Sequence, residues 1–520
     1  MRISKTNLYI TSILLIVGAL SGGVLLNGCG GGEKDYNNGY KPTGDTVADG
    51  QKLAQKYCVS CHQAPSPELL TKNVWKFHTL PRMARYLGLS TYGNEVFKKK
   101  IDSAGISMLE WQSIYTYYHK KAPDSLAAAK PPVPLIRDWA GFTLKKPATG
   151  RTAFTTMVAV DSASQKLYSA DLETEKLSQW DGNLVKKDIA ELPSAGVAVN
   201  FSKTAKGGNQ LLVTCIGQIM PMDFPDGRVV SVDPDSSFSA SPRNIASDLS
   251  RPVQTLAGDF NKDGLTDLVI CAQGHLAGGV YLLKQNADHS YTQSNISNKP
   301  GAAQAITGDF NHDGWPDIMV LFRTRDEGIW MFLNDHKGGF TQKNLVMFPA
   351  TYGSSSFQLA DMNGDGKQDI VYTCGYNYYD SRILKPYHGL YIFTNQGDWN
   401  FKQTWFYPIN GCTKAIVADI NGDGRPDIVT SAFFADMQHN PAESFIYFQH
   451  DGQGAGFKPY SVPVEKYGRW FDMAVADVNH DGRPDVILAN YSKGFLFQPG
   501  FTPAWGTTLP FIILENHTRK

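Results

Sequence analysis

The chain has 520 residues, long enough for several domains or one large repeat array. Lys plus Arg and Asp plus Glu both number 49, and this balance gives no reason to invoke a nucleic-acid partner. With 24 Tyr, 27 Phe and 10 Trp against few long helical patterns, most of the chain is expected to be β-rich.

The N-terminus has the pattern of an export signal. Two basic residues precede an apolar stretch over 8–26, which leads into Leu-Asn-Gly-Cys29. Leu-x-Gly-Cys resembles the bacterial lipobox, which implies cleavage before Cys29, lipid on its thiol and firm attachment to a membrane. The apolar run is also long enough for a membrane anchor helix. We predict a signal peptide at 1–28 and a flexible tether at 29–46, with the body outside the cytoplasm.

The motif Cys58-Val-Ser-Cys61-His62 is typical of covalent haem attachment. Two thiols three residues apart can add to both haem vinyl groups, while the adjacent imidazole reaches the iron. A redox disulfide or half of a zinc site is the alternative, but a second Cys/His pair is not nearby and the next cysteine is Cys215. We predict one haem c on Cys58 and Cys61, with His62 as an axial ligand.

The segments on both sides of this motif are predicted to be helices. Residues 49–57 and 109–118 carry apolar side chains at helical spacing. They resemble the first and closing helices of class I cytochromes c. This resemblance implies a small all-α, single-haem domain over 47–121.

Met83 is the preferred second axial ligand of that haem. It follows Leu-Pro-Arg, as in the methionine loop of the family, although it is closer to the haem motif than usual. Met108 and His78 are the competing candidates. A thioether ligand would raise the reduction potential relative to bis-histidine ligation.

Five segments share the pattern D-x-N-x-D-G-x-x-D and begin at Asp259, Asp309, Asp361, Asp419 and Asp477. Oxygens at positions 1, 3, 5 and 9, with the carbonyl of position 7, can converge on one hard cation. An EF-hand would need Glu at position 12, but that position holds Ile270, Val320, Tyr372, Thr430 and Leu488. Ordinary turns are the alternative. Because five acidic loops without counter-charge would repel internally, bound Ca²⁺ is the simpler explanation.

We therefore predict about five Ca²⁺ sites, one in each loop. Their predicted ligands are Asp259, Asn261, Asp263, Leu265, Asp267, Asp309, Asn311, Asp313, Trp315, Asp317, Asp361, Asn363, Asp365, Lys367, Asp369, Asp419, Asn421, Asp423, Arg425, Asp427, Asp477, Asn479, Asp481, Arg483 and Asp485.

The repeats predict a β-propeller. Each loop precedes an apolar run, a second run that ends near Asn, and an aromatic-led segment such as 339–343, which makes four strands per unit. The pattern resembles the FG-GAP or VCBS repeat family, whose members build propellers with Ca²⁺ in these loops, and the match covers roughly residues 150–520. Two weaker units without the acidic ligands, at 157–169 and 197–215, bring the count to seven blades.

Only four residues follow the last predicted strand at 511–516, too few for the outer strand of its blade. The segment 141–146 is similar to 339–343, so we predict that it supplies the missing strand and closes the ring. The propeller then spans 141–520, and the Pro- and Ala-rich segment 122–140 is a semi-rigid linker outside the ring. The predicted fold class is mainly β, a seven-bladed propeller preceded by a small all-α cytochrome c domain.

Polar residues are expected around one mouth of the central channel. Five positions before each first Asp stand Gln254, Gln304, Ser356, Lys414 and Asp472. Second-strand ends lead to the same side, toward Gln273, His275, Arg323, Arg325, Tyr376 and Asp436. A funnel of this kind can hold a polar ligand, and the candidate residues are Gln254, Gln304, Lys414, Asp472 and Arg323. A solvated loop surface is the alternative.

Four cysteines lie at strand ends of the predicted propeller. In an oxidising compartment, Cys374–Cys412 and Cys215–Cys271 are candidate disulfides across neighbouring blades. Buried thiols are the alternative.

Two functions fit these features. In the first, the protein is a cell-envelope lipoprotein that transfers electrons through its haem, while the calcium-stabilised propeller binds a redox partner, a glycan or another protein. In the second, it is an oxidoreductase whose channel binds a small polar substrate or cofactor and passes electrons to the haem. No catalytic triad, nucleophile elbow or phosphate loop is readable, so the electron carrier is preferred.

Overall fold

The computed structural model describes residues 40–60, 62–92, 95–97, 105–203, 207–220, 222–235, 238, 240–377, 383–452, 456–494 and 501–518. The chain divides into two units, Met1–Lys41 and Pro42–Lys520. Everything that follows concerns the second unit. No helix in the described ranges is long and apolar enough to cross a membrane.

Short helices form the N-terminal part of this unit. Within the described residues they are α1 (Thr46–Tyr57), α2 (Lys72–Val74), α3 (Leu80–Tyr86) and α4 (Met108–Lys121), with 3₁₀ turns at Cys58–Ser60 and Pro67–Leu69 and a π-helical stretch at Trp75–Thr79. A hairpin of β1 (Ser90–Tyr92) and β2 (Glu95–Phe97) follows α3.

The ends of α1 and α4 follow from local sequence. The Asp45 carboxylate caps α1 by accepting hydrogen bonds from the Val47 and Ala48 amides at 3.0 Å each. Ser107 and Glu110 form a reciprocal capping box at the start of α4. Both helices therefore begin at the residues where their unpaired amides are satisfied.

The remainder is a seven-bladed β-propeller built from antiparallel sheets. The first blade contains β5 (Thr155–Asp161), β6 (Lys166–Asp171), β7 (Lys176–Trp180) and β8 (Lys186–Glu191). The second contains β9 (Gly196–Lys203), β10 (Asn209–Cys215), β11 (Gly227–Val232) and β12 (Arg243–Leu249). The third contains β13 (Pro252–Gly258), β14 (Asp267–Ala272), β15 (Gly279–Gln285) and β16 (Tyr291–Ser297). The fourth contains β17 (Ala302–Gly308), β18 (Asp317–Phe322), β19 (Gly328–Asn334) and β20 (Phe340–Met347).

The fifth blade contains β21 (Ser354–Ala360), β22 (Asp369–Cys374), β23 (Gly389–Asn395) and β24 (Phe401–Pro408). The sixth contains β25 (Lys414–Ala418), β26 (Asp427–Ser431), β27 (Phe445–His450), β28 (Phe457–Ser461) and β3 (Ile136–Arg137). The seventh contains β29 (Trp470–Ala476), β30 (Asp485–Asn490), β31 (Phe511–Asn516) and β4 (Phe142–Lys145). The number of blades and the four strands of each regular blade confirm the prediction.

The ring closes through a strand from before the first blade. Strand β4 pairs antiparallel with β31, with Phe142 opposite Asn516 and Lys145 opposite Ile513. The prediction that 141–146 supplies the last outer strand is confirmed. This closure covers the edge of β31 and gives the seventh blade its outer strand.

The linker contributes a strand to the propeller, which the sequence analysis did not predict. Strand β3, inside 122–140, pairs in parallel with the outer strand β28 and makes the sixth blade five-stranded. The Tyr407 hydroxyl also donates a hydrogen bond to the Val133 carbonyl at 3.1 Å. The expectation that this segment stays outside the ring is therefore wrong at its C-terminal end, because the free edge of β28 accepts a short strand.

The core lies between neighbouring blades. Second strands such as β14, β18 and β30 are buried along their whole length, since both of their faces meet another sheet. One apolar cluster, for example, joins Val371 and Leu390 of the fifth blade to Ile428 and Ile446 of the sixth.

The four propeller cysteines are buried thiols in this structure, which is the alternative to the candidate disulfides. Burial raises the pKa of the Cys215 and Cys271 thiols to about 12 in each case. The same cause raises the pKa of Cys374 and Cys412. These side chains act as small apolar residues in the core.

Candidate functional site

The Asp-rich loops share one hydrogen-bond scheme. In the first loop, the Asp259 carboxylate accepts from the Asp263 amide at 3.1 Å and from the Gly264 amide at 2.9 Å. Asn261 Oδ1 accepts from the Asp263 amide at 3.0 Å. Gly264 has φ +82°, a conformation that suits glycine and lets the loop turn back on itself. The loops that begin at Asp309, Asp361, Asp419 and Asp477 repeat these bonds.

The ninth-position Asp ties each loop to the end of the third strand. One oxygen of Asp267 accepts from the Phe260 amide at 3.2 Å and the other from the Gln285 amide at 2.8 Å. The same pair of bonds is made by Asp317, Asp369, Asp427 and Asp485. All five are fully buried, and burial raises their pKa, in Asp485 to about 6. A structural role of the ninth Asp was not foreseen from the sequence.

The donor set of these loops suits a hard cation. It consists of carboxylate and amide oxygens plus one carbonyl. The charges of Asp259 and Asp263 raise the pKa of Asp267 further, so an added positive charge would relieve repulsion. Within the described part of the chain, no three His, Cys, Asp or Glu side chains are already gathered as a metal site.

Several residues predicted at the channel mouth form hydrogen bonds between neighbouring blades. The Gln254 amide oxygen accepts from the Ala305 amide at 2.7 Å. The Gln304 side chain makes bonds of 3.0 Å to both the amide and the carbonyl of Phe357. Each residue thus pairs with the inner strand of the next blade.

The same relation continues around the ring. Ser356 Oγ accepts from the Ala415 amide at 3.2 Å. Lys414 Nζ lies 2.6 Å from Asp472 Oδ1, and Asp472 Oδ2 accepts from the Val158 amide at 3.0 Å. Between the first and second blades, the Thr156 hydroxyl donates to the Gly196 carbonyl at 2.6 Å. Between the second and third blades, the hydroxyls of Thr214 and Thr255 are hydrogen-bonded at 2.8 Å. Side-chain hydrogen bonds therefore link each blade to the next around the ring, and only at the junction of the second and third blades does the bond come from a second strand, through Thr214 of β10.

A cavity of about 200 Å³ opens at the channel mouth. Every blade contributes to its wall, through Thr156, Val197, Gln273, Arg323, Tyr376, Phe433 and Phe471. Arg323 and Asp472 of the predicted set line this cavity, whereas Gln254, Gln304 and Lys414 do not. Arg251 also lines it and was missed, because its position before β13 gives no signal in the repeat pattern.

Helix α3 touches the propeller beside this mouth. The Tyr86 hydroxyl is hydrogen-bonded to His275 Nε2, two residues beyond Gln273. Burial raises the pKa of Tyr86 and lowers that of His275. A second contact runs from the Tyr387 hydroxyl to the Leu69 carbonyl at 3.0 Å. The segment that carries Met83 therefore contacts the propeller next to the channel mouth.

The predicted haem residues lie at the end of α1. Cys58 and His62 are half-buried, and Met83 is half-buried in α3. His62 Nδ1 lies 2.8 Å from the Gln63 carbonyl oxygen, which can only accept, so this nitrogen carries the proton and Nε2 the lone pair. Cys61 and the predicted lipidation site Cys29 lie outside the described residues.

The repeats match a known family model. The FG-GAP-like repeat model aligns with residues 259–320, 309–372 and 383–430. FG-GAP-like repeats thus account for 259–372 and 383–430, within the third to sixth blades. The matched ranges contain the four loops that begin at Asp259, Asp309, Asp361 and Asp419.

Part of the chain is similar in sequence to integrins. It is 28% identical over 187 residues to integrin alpha-3 of Mus musculus, which covers 33% of this chain and 17% of that protein. It is 30% identical over 145 residues to integrin alpha-6 of Homo sapiens, covering 26% of this chain and 12% of that protein. The chain thus spans less than a fifth of the length of these relatives.

Among solved structures, the FG-GAP propeller is similar to BBS1N in complex with ARL6DN, soaked with mercury. The TM-score is 0.45 at 11% identity, over 74% of this chain and 99% of that chain.

Proposed function

We propose that this protein transfers electrons through one haem c held by the N-terminal helices, and that its FG-GAP propeller binds a partner or ligand. The motif Cys58-Val-Ser-Cys61-His62 at the end of α1 carries the proposal. The thiols of Cys58 and Cys61 would hold the haem, with His62 and Met83 as axial ligands. When bound, the haem would supply a one-electron couple.

The surroundings of the motif support an apolar cofactor. Helix α1 is packed on α4 so closely that only glycine fits at position 50. Val59 inside the motif is 55% exposed and Phe77 is 36% exposed, which leaves apolar surface beside the candidate ligands. The Gln63 carbonyl accepts a hydrogen bond from His62 Nδ1, which leaves Nε2 as the nitrogen that would bind iron. In metal-binding histidines, the ring nitrogen that does not bind the metal is usually hydrogen-bonded in this way.

The propeller loops support Ca²⁺ as a structural ion. Five all-oxygen donor sets repeat in one register, and each contains three carboxylates. The residues that would hold the ion are those at positions 1, 3, 5, 7 and 9 of each loop. Bound Ca²⁺ would offset the repulsion between those carboxylates.

The binding role of the propeller is supported by its relatives. Integrin-like FG-GAP sequence similarity is consistent with protein or ligand binding. The sequence expectation of an envelope lipoprotein acylated at Cys29 completes the proposal, with the propeller on the outer side of a membrane.

The oxidoreductase alternative is favoured by one observation. The cavity at the channel mouth lies next to His275, which is bonded to Tyr86 of the helix that carries Met83. A small electron donor bound there would lie beside the proposed haem segment. Reduction of the haem by added small molecules, with no partner protein present, would favour this alternative.

A haem stain of the exported full-length protein after denaturing electrophoresis tests the proposal. We expect covalent haem in the wild type and none in the Cys58→Ser/Cys61→Ser double variant. Cys271→Ala, which removes a buried propeller thiol, is the matched control and should retain haem. A colourless wild-type protein would overturn the electron-transfer role.

Variants of the axial candidates then assign the second ligand. Met83→Ala should lower the reduction potential and change the absorption spectrum, whereas Met108→Ala and His78→Ala should not. A spectral change confined to one of the two controls would move the assignment to that residue.

A further inference from the structure

We propose that the cavity at the channel mouth binds a small organic anion whose carboxylate meets Arg251 and Arg323 and whose apolar body meets an aromatic wall. This inference deepens the proposed role of the propeller as a binding module and rests on that part of the proposed function. It does not depend on haem.

Arg251 is the central observation. Its side chain lines the cavity although the residue is only 9% exposed. One terminal nitrogen binds the Gln273 side-chain oxygen and the other donates to the Ile219 carbonyl at 3.2 Å. Nε has no hydrogen-bond partner, and within the described residues no carboxylate pairs with this guanidinium. A buried cation without a paired carboxylate is costly unless an anion joins it.

The backbone of Arg251 turns sharply just before β13. The residue has φ 55°, in the left-handed region that a non-glycine residue seldom occupies. This conformation directs a long basic side chain to the channel wall and not to solvent.

A second guanidinium completes the basic side of the cavity. Arg323 donates through Nε to the Ser354 carbonyl at 2.6 Å and lies 4.5 Å from the Tyr376 ring centroid. These contacts, together with a bond of 3.4 Å from a terminal nitrogen to the Ser355 carbonyl, fix the guanidinium in one orientation.

The acid in the cavity wall is already neutralised. Asp472 is paired with Lys414 at 2.6 Å and also accepts from the Val158 amide. Behind the wall, the Arg469 guanidinium lies 3.8 Å from the Phe433 ring centroid. Of the charged residues that line the cavity, Arg251 and Arg323 are basic and Asp472 is already paired, so a carboxylate would gain more there than a neutral or cationic ligand.

Another part of the cavity wall is aromatic. Phe433 meets Phe434 and Phe471 edge to face, each at 5.0 Å between ring centroids, and Phe434 meets Tyr376 in the same way at 5.7 Å. Such a wall suits a planar ring or a short alkyl chain. The volume of about 200 Å³ suits a small molecule.

Calorimetric titration of the full chain with benzoate tests the inference, with benzyl alcohol, benzylamine and acetate as comparison probes. We expect one saturable benzoate site per chain and at least about tenfold weaker binding of the other three, since each lacks the charge or the ring. Equal binding of benzoate and benzyl alcohol, or no benzoate binding, would overturn it.

Variants locate the site. Arg251→Gln and Arg323→Gln should each weaken benzoate binding about tenfold or more, whereas Arg228→Gln, an exposed change on β11, should leave it unchanged. If Arg251→Gln does not fold, as judged by circular dichroism, Arg323→Gln and the wild-type probe series decide. Undiminished binding in Arg323→Gln would place benzoate elsewhere and refute the site. Because no step needs haem, a negative haem stain and a failed titration are separate outcomes.

Discussion

Gly50 of α1 lies directly against Ser113 of α4. A Cβ at position 50 would be 2.0 Å from the Ser113 carbonyl oxygen and 2.7 Å from Tyr117 Cβ. The two helices on either side of the haem motif therefore meet backbone to backbone, and this crossing holds the end of α1 in place.

The first prediction follows from this contact. Gly50→Ala should separate α1 from α4 and destabilise the helical part by at least about 2 kcal/mol, because the carbonyl of Ser113 cannot give way. Hydrogen exchange of α1 should rise while the propeller melts as before. Gly105→Ala, where a Cβ would meet nothing within 4 Å, is the control. Unchanged exchange in α1 would contradict the close crossing.

The second prediction concerns ring closure. Phe142 of β4 is buried and meets Tyr447 edge to face at 5.6 Å. Phe142→Ala should lower the free energy of unfolding of the propeller by about 3–5 kcal/mol, since it leaves a cavity under the closing strand. Chemical denaturation measures this. Thr143→Ala, on the exposed face of the same strand, should cost much less, and equal losses would argue against closure by β4.

The third prediction concerns the bonds between blades. Gln304→Leu keeps the size of the side chain but removes both bonds to Phe357, so it should cost about 1–3 kcal/mol in the free energy of unfolding. Gln342→Leu, exposed on the outer strand of the same blade, is the matched control. If both substitutions have the same small effect, Gln304 is not a link between blades.

The fourth prediction separates metal binding from folding in the last loop. Asp481 at position 5 is exposed, whereas Asp485 at position 9 accepts from the Asn516 amide at 2.8 Å and the Val478 amide at 3.1 Å. Chelation of Ca²⁺ should lower Tm. Asp481→Asn should weaken Ca²⁺ binding at this loop and leave Tm in chelator unchanged.

In contrast, Asp485→Asn should also lower the stability in chelator, by about 1–2 kcal/mol, because an amide NH₂ would face a backbone N–H. Calcium titrations followed by thermal melts distinguish the two variants. A wild-type Tm that ignores the chelator would count against the calcium sites.

The fifth prediction is a pH dependence at Glu327. This carboxyl is fully buried and accepts from the Ser354 amide at 2.6 Å; burial raises its pKa to about 7 despite the nearby charges of Lys385 and Arg323. Since the folded state binds this proton more tightly than the unfolded state, stability falls as pH rises from about 4.5 to about 7.

Acidification from pH 7.5 to 5.5 should therefore stabilise the wild type relative to Glu327→Gln, with a full linkage on the order of 3 kcal/mol. Denaturation at both pH values measures the difference, and Glu191→Gln, exposed at the end of β8, is the control. Identical pH responses in wild type and Glu327→Gln would refute the linkage.

Much of the fold could be predicted because the blade is a local pattern. Aspartates at fixed spacing before an apolar run located each second strand, which begins at the ninth Asp, as in β14 and β18. The closing strand could be found because residues 141–146 have the chemistry of an outer strand and the last blade lacks one. The haem motif and Met83 remain predictions that stand on sequence.

The candidate site was harder to predict because register does not give side-chain direction. Gln254 and Gln304 were placed correctly on inner strands, yet their amides turn sideways to the next blade and not into the channel. Arg251 carries no repeat signal, and its left-handed backbone is visible only in three dimensions. Phe433 and Phe471 come from different blades, so their edge-to-face contact depends on ring closure.

Sequence alone determined the number of blades, the loops and the order of strands, since each depends on contacts between residues close in the chain. Only the tertiary structure decided which polar side chains form hydrogen bonds between blades, how the linker joins the sixth sheet and which part of the propeller α3 contacts. These depend on surfaces that exist only after the ring has closed and brought distant segments together.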